Sequence, residues 1–154
     1  MRRLVSSCSA IVILGCSPAK DQTAADTTAA APAMAAPAAI SLADVAGKWN
    51  VRATSEAGDI NVDYVLTATA DNSGWTFTFP KRDPIPVRVV AVDGDSVVTE
   101  AGPYESVLRK GVQVTTRNVN RLQDGKLIGA TEAHYAGTSP DSVLRLRTEG
   151  TRAP

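Results

Sequence analysis

From residue 42 onward, apolar and polar residues alternate with a period of two, as in strands that bury one face. Trp49, Val51 and Ala53 fall on one side of a first strand. Ile60, Val62, Tyr64 and Leu66 share a side of the next, with Asn61 and Asp63 opposite. Trp75-Thr76-Phe77-Thr78-Phe79 alternates without a break. Further strands are predicted over 87–92, 96–100, 112–121, 126–135 and 142–148, with 104–108 as a ninth candidate. Between them lie Asp71-Asn72-Ser73-Gly74, Asp93-Gly94-Asp95, Lys110-Gly111 and Gln123-Asp124-Gly125. Gly adopts left-handed turn conformations at no steric cost, and Asp and Asn bond their own backbone. Pro80, Pro84 and Pro86 mark a longer loop or an edge, where a missing amide donor does least harm. Only 42–45, just before Gly47, reads as a helical turn.

Connections this short leave no room for crossover helices and require antiparallel neighbours. The fold class is therefore all-β: an antiparallel meander barrel of about eight strands. Closure removes the unpaired edges that make an exported sheet prone to association.

Residues 1–40 follow a different rule. Arg2 and Arg3 precede an apolar run over 4–14 that ends at Gly15-Cys16. A basic start, a short apolar core and a small residue before the cut make a secretory signal. The run falls well short of the roughly 20 apolar residues a membrane-spanning helix needs. Residues 17–40 are rich in Ala, Thr and Pro and contain no aromatic residue. Such a block cannot bury enough apolar surface to offset the cost of ordering, so it is predicted to be a disordered tether. Pro32 and Pro37 interrupt any helix in it. The expected organisation is a signal over 1–15, a linker with its leading cysteine over 16–40, and the β domain over 41–154.

Ile13-Leu14-Gly15-Cys16 resembles the lipobox of bacterial lipoproteins. The resemblance implies that the signal is cut before Cys16. Its sulfur then carries a diacylglycerol, and its new amine a further acyl chain such as palmitate. One acyl chain binds a bilayer only reversibly, whereas three on one residue hold essentially permanently. Cys8 lies too early to play this part, with almost no apolar run before it. Ser17 follows the cysteine where a retention signal would place aspartate. In a cell with two membranes that implies an exported protein on the outer membrane, at its periplasmic face or its surface. The membrane is then a partner through the lipid anchor on Cys16.

Composition removes several classes of function. The chain carries 16 basic and 16 acidic residues, and 13 and 14 of these fall beyond residue 40. No basic excess is available to gather phosphates, so nucleic acid is not an expected partner. Cys8 and Cys16 are the two cysteines, both in the leader region. The β domain therefore has no disulfide, no thiol nucleophile and no cysteine metal site to draw on.

Gly47-Lys48-Trp49 at the start of the first strand resembles the Gly-x-Trp motif of lipocalin-like (calycin) barrels. The resemblance implies that Gly47 and Trp49 belong to a barrel-closing motif, with an arginine from the last strand laid across the indole. Arg152 shares strand parity with the inward Leu144 and Leu146, which favours it. Arg147 has the opposite parity and competes only through a bulge. The resemblance also implies a small apolar ligand inside the barrel.

Candidate chemistry is sparse. His134 is the only histidine, and Glu132 two residues earlier shares its face. One histidine and one carboxylate fall short of the three or four ligands of a zinc or iron site. An exposed cross-strand pair is the favoured reading. Asp93-Gly94-Asp95 and Asp71-Asn72 resemble pieces of calcium loops without the closing glutamate, and turn chemistry explains them. There is no Gly-x-Ser-x-Gly elbow and no glycine-rich phosphate loop. No catalytic residue, metal or cofactor is assigned. Trp75, Phe77 and Phe79 form an aromatic stripe that suits either a pocket wall or ordinary core. Arg145 and Arg147 share a face that suits an anionic partner, or acidic neighbours on the next strand. The expectation is a non-catalytic, membrane-anchored envelope lipoprotein whose barrel binds a small apolar ligand or a protein partner. The alternative is a packed barrel without a pocket, acting through outer faces such as Arg145/Arg147 and Val90/Val92.

Overall fold

The computed structural model describes residues 39–137 and 142–154. The signal, Cys16 and nearly all of the linker lie outside the described residues. A short helix α1 (Leu42–Val45) leads into β1 (Gly47–Ser55), β2 (Asn61–Ala68), β3 (Thr76–Thr78) and β4 (Ile85–Asp93). β5 (Ser96–Glu105), β6 (Gln113–Gln123), β7 (Lys126–Tyr135) and β8 (Val143–Arg152) complete the chain. The eight strands pair in sequence order, and β8 returns to β1 to close the barrel. Every pairing is antiparallel. The architecture is the meander barrel that the period-two pattern predicts. Residues 104–105 do not form a ninth strand; they extend β5 past a register shift between Ala101 and Tyr104.

Side-chain alternation divides the wall into two faces. Trp49, Val51 and Ala53 point inward from β1 and are buried, as are Leu66 and Ala68 from β2. The outer face is an array of cross-strand ion pairs. Arg88, Glu100, Arg117, Glu132 and Arg145 stand opposite one another in a single row across β4 to β8. Within it Arg88 and Arg117 both bond Glu100, and Arg145 bonds Glu132 at 3.0 Å. Arg52 and Asp63 pair the same way between β1 and β2. Exposed pairs add little energy each, but like charges in these positions would oppose the register.

One end of the barrel is plugged. Trp49 is fully buried there, and its indole N–H donates to the Val45 carbonyl at 2.8 Å. Arg152, paired with Trp49 across β8 and β1, lays its guanidinium 4.4 Å from the ring centroid. The same guanidinium donates to the carbonyls of Asp44 and Ala46, both at 2.7 Å. It thus satisfies backbone acceptors that α1 leaves open and ties the last strand to the helix. Gly47 makes the approach feasible. Its φ is +127°, and a Cβ there would sit 2.9 Å from an Arg152 nitrogen. Arg147 projects outward from the same strand and is exposed.

Truncating Trp49 to Ala should cost about 3–5 kcal/mol of unfolding free energy, as loss of a large buried side chain does. Arg152→Ala should cost about 1–3 kcal/mol, from the two charge-assisted bonds it removes. Urea unfolding followed by circular dichroism measures both. Equal, near-zero effects would mean that the plug does not hold the barrel shut.

Candidate functional site

The other end of the barrel carries the β1–β2, β3–β4 and β5–β6 connections. The β5–β6 connection folds back on itself across this end. The Ser106 hydroxyl accepts the amides of Leu108 and Arg109, and Ser106 and Val112 bond through the backbone. Val107 and Leu108 stay exposed on it, at 37% and 41%. Arg82, from the β3–β4 loop, donates to the carbonyls of Glu105 and Ser106 and latches the two connections together. Arg109 rests its guanidinium 4.0 Å from the centre of the Tyr135 ring.

Beneath this cover lies a half-open pocket of about 50 Å³. Its walls differ in chemistry. One is aromatic: Tyr64, Phe77, Phe79 and Tyr104. Tyr64 meets Phe77 edge-on at 5.0 Å between centroids and Phe79 at 5.5 Å. The opposite wall is mixed: Val114, Ala133, Tyr135 and Leu146 stand beside Thr116 and Asn118 from β6 and Thr131 from β7. Thr131 donates its hydroxyl to Asn118 Oδ1 at 2.6 Å. That bond leaves the Asn118 amide nitrogen buried without a partner, while the Tyr104 and Tyr64 phenols lie against the Thr116 and Thr131 hydroxyls. Burial pushes the Tyr64 phenol well up. It also raises Tyr104, offset in part by the nearby Thr116 hydroxyl. Both rings therefore stay protonated at neutral pH and serve as neutral hydrogen-bonding groups.

The polar tier continues toward the plug. Thr99, Asn118 and Thr131 stand in one cross-strand row, and Asn120, Gly129 and Thr148 in the row below. Thr99 and Thr148 also carry buried hydroxyls without partners. Gly129 is the close approach that lets this row fit. A Cβ there would lie 2.4 Å from the Val119 carbonyl oxygen and 2.6 Å from Asn120 Oδ1.

Of the aromatic stripe, Phe77 and Phe79 line the cavity and Trp75 does not. Trp75 packs in the apolar half of the core, and its indole N–H donates to the Asp71 carbonyl. Gly47, Trp49 and Arg152 come together at the plugged end, away from the cavity. His134 and Glu132 sit on the outer face of β7, 3.7 Å apart and both substantially exposed. Arg145 engages Glu132 more closely and is the main reason its carboxyl is held below the usual range. Among the described residues no group of three metal-ligating side chains occurs. The cavity wall holds no carboxylate, imidazole, thiol or amine. It can bind by shape, stacking and neutral hydrogen bonds; it offers no base to activate a nucleophile.

Thr116, Asn118, Thr131, Tyr64 and Tyr104 are site residues beyond the aromatic stripe. Their signal was present in the chain: Thr116, Asn118 and Asn120 occupy inward parity on a strand whose other inward residue, Val114, is apolar. Comparison with protein-family models, curated proteins and solved structures finds no match for this chain.

Replacing Arg145 with Ala should raise the Glu132 carboxyl toward its ordinary value, since the principal cause of its depression is removed. Carbon-detected NMR titration reads this directly. The associated stability is present above the unfolded-state value and fades as pH falls through the depressed folded-state value. His134→Ala should leave stability within about 0.5 kcal/mol of the parent, as for an ordinary surface change.

Proposed function

We propose that the protein is a lipid-anchored envelope lipoprotein whose lipocalin-like barrel binds a small ligand without catalysis. The anchor in this reading is Cys16, acylated after removal of residues 1–15. Residues 17–40 act as the leash. The observation that carries the binding role is the half-open pocket under the β5–β6 connection, edged by exposed Val107 and Leu108 and walled by Phe77 and Phe79. Its location supports the reading. The plug of Trp49, Arg152 and α1 fills the opposite end, which leaves the end under the β5–β6 connection for entry. The described chain joins the plugged end, where the Ile40 amide donates to the Gly94 carbonyl. The alternative, an interaction lipoprotein acting through its outside, draws support from the exposed Val90 and Val92 at 44% and 45%.

Intact-mass analysis of the protein extracted from membranes should show a Cys16 N-terminus carrying three acyl chains. Cys16→Ala should move the chain to the soluble fraction. Native mass spectrometry of the full chain should reveal a noncovalent adduct of low mass. An unmodified Cys16 thiol in the exported protein would remove the anchor from this reading. A barrel that releases no small molecule and takes up none offered to it would leave the interaction reading.

A further inference from the structure

The barrel has one seam that its own strands fill only in part. β3 meets β4 at Phe77 against Ile85 and Thr76 against Pro86, with one further bond from the Val87 amide to the Trp75 carbonyl. β4 runs on well past that point, and its other side stays with β5 as far as Asp93 against Ser96. Among the described residues no strand pairs with residues 88–93 on the β3 side. That side therefore presents backbone donors and acceptors to any further strand. The sequence along it is Arg88-Val89-Val90-Ala91-Val92-Asp93, four apolar residues between two opposite charges. Val90 and Val92 are exposed, as are Arg88 and Asp93.

A β-bulge decides which faces these side chains take. Arg88, Ala91 and Asp93 stand opposite Glu100, Val98 and Ser96, which share one face of β5. Val89 and Val92 stand opposite Thr99 and Val97, which share the other. Val90 is the extra residue between Val89 and Ala91. Without it Arg88 and Asp93 would fall on opposite faces. With it, the edge matches an antiparallel copy of itself. Arg88 meets Asp93 at both ends, Val89 meets Val92, and the two bulges meet at the centre, each pair on a common face. Opposite charges and apolar pairs at such positions are favourable, whereas a parallel copy would set arginine against arginine. Arg88 gives one nitrogen to Glu100 and has donors to spare. Arg121 is engaged by Asp95, and Asp93 has no ion pair among the described residues.

We propose that the protein associates with a second copy of itself through β4, antiparallel about a two-fold axis at the bulge. The contact is isologous and closes at two copies. It extends the sheet of one barrel into the other by strand addition. The proposal goes beyond the ligand-binding reading and holds whether or not the pocket takes a guest. Pairing over residues 88–93 alone buries less than the roughly 1,600 Å² of a standard interface, so the dimer should be concentration-dependent. Anchoring of both copies on one membrane, in the reading above, would raise their effective concentration.

Sedimentation equilibrium of the full chain carrying Cys8→Ser and Cys16→Ser tests this without lipid or native thiols. The apparent mass should climb toward twice that of the chain as concentration rises. Arg88→Asp and Asp93→Arg should each weaken association at least about tenfold, because each opposes like charges at both ends of the contact. Mixed in equal amounts, the two variants should associate again, since each then complements the other; a loss of fold would not be repaired by mixing. Thermal unfolding establishes that both remain folded. Added to the same background, Ala91→Cys should give a disulfide-linked dimer on mild oxidation, and Thr151→Cys on β8 should not. A monomer at every concentration up to millimolar would overturn the proposal and leave the bulge as a guard against pairing. Association that persists in both charge variants would overturn it as well, and would place the contact elsewhere, in the apolar leader or on another face.

Discussion

The barrel depends on one indole. Trp49 fills the end where β1 begins, and both the adjoining α1 and the distant β8 converge on it. α1 supplies the carbonyl for its N–H, β8 supplies the arginine across its face, and β1 supplies Trp49 itself. A sheet of eight strands closes only if its first and last members meet, and that pairing spans nearly the whole domain. Bringing such distant strands together carries the largest loop-closure cost in the fold. Arg152 offsets part of it by bonding the backbone of α1 on the far side of the seam. Because its planar fork both stacks and donates twice, lysine cannot stand in for it. The glycine at 47 follows from this contact rather than from any turn.

Once one end is sealed, the interior divides along the barrel wall. β1 to β4 bring Val51, Leu66, Phe77, Phe79 and Val87, which form one continuous apolar cluster with the plug. β6 to β8 bring Thr116, Asn118, Asn120, Thr131 and Thr148 at the same inward parity. A fully apolar filling of those positions would be more stable, since each unpartnered hydroxyl or amide carries a desolvation penalty. These polar positions are interleaved with Val114, Leu127, Ala133, Tyr135 and Leu146 on the same strands.

The fold was largely readable from the chain because its information is local. Period-two alternation set the inner face of β1, β2, β6, β7 and β8, and the Asp-Gly and Asn-Ser-Gly turns set where strands reverse. Strand parity also distinguished Arg152 from Arg147, because a one-residue change flips a side chain through the sheet. The cavity was less legible. Phe77 and Phe79 share their stripe with Trp75, and nothing in the alternation separates the two that line a void from the one that packs in the core. That distinction arises because β3 pairs over only three residues, so Trp75 lies before the ladder, near the turn carbonyl it bonds. The polar wall carried a signal, Asn118 and Asn120 at core parity, but its meaning needed the partner strand. Only the register of β6 with β7 reveals that Thr131 occupies one end of the Asn118 amide and leaves the other bare.

The two ends of the barrel thus carry opposite kinds of constraint. At the plug, every strong donor near Trp49 has its acceptor: the indole on Val45, the guanidinium on Asp44 and Ala46, the Ile40 amide on Gly94. Such a region has little to gain from any further molecule. At the far end the cover is held by a few surface contacts, chiefly Arg82 on two carbonyls and Arg109 on Tyr135. Exposed contacts of this kind open at low cost. Between the two ends, the buried groups without partners, on Thr99, Thr116, Asn118 and Thr148, lie at inward positions with almost no accessible surface. The fold thus keeps its unmet hydrogen bonding in the middle of the barrel, and its two ends differ instead in how firmly they are tied.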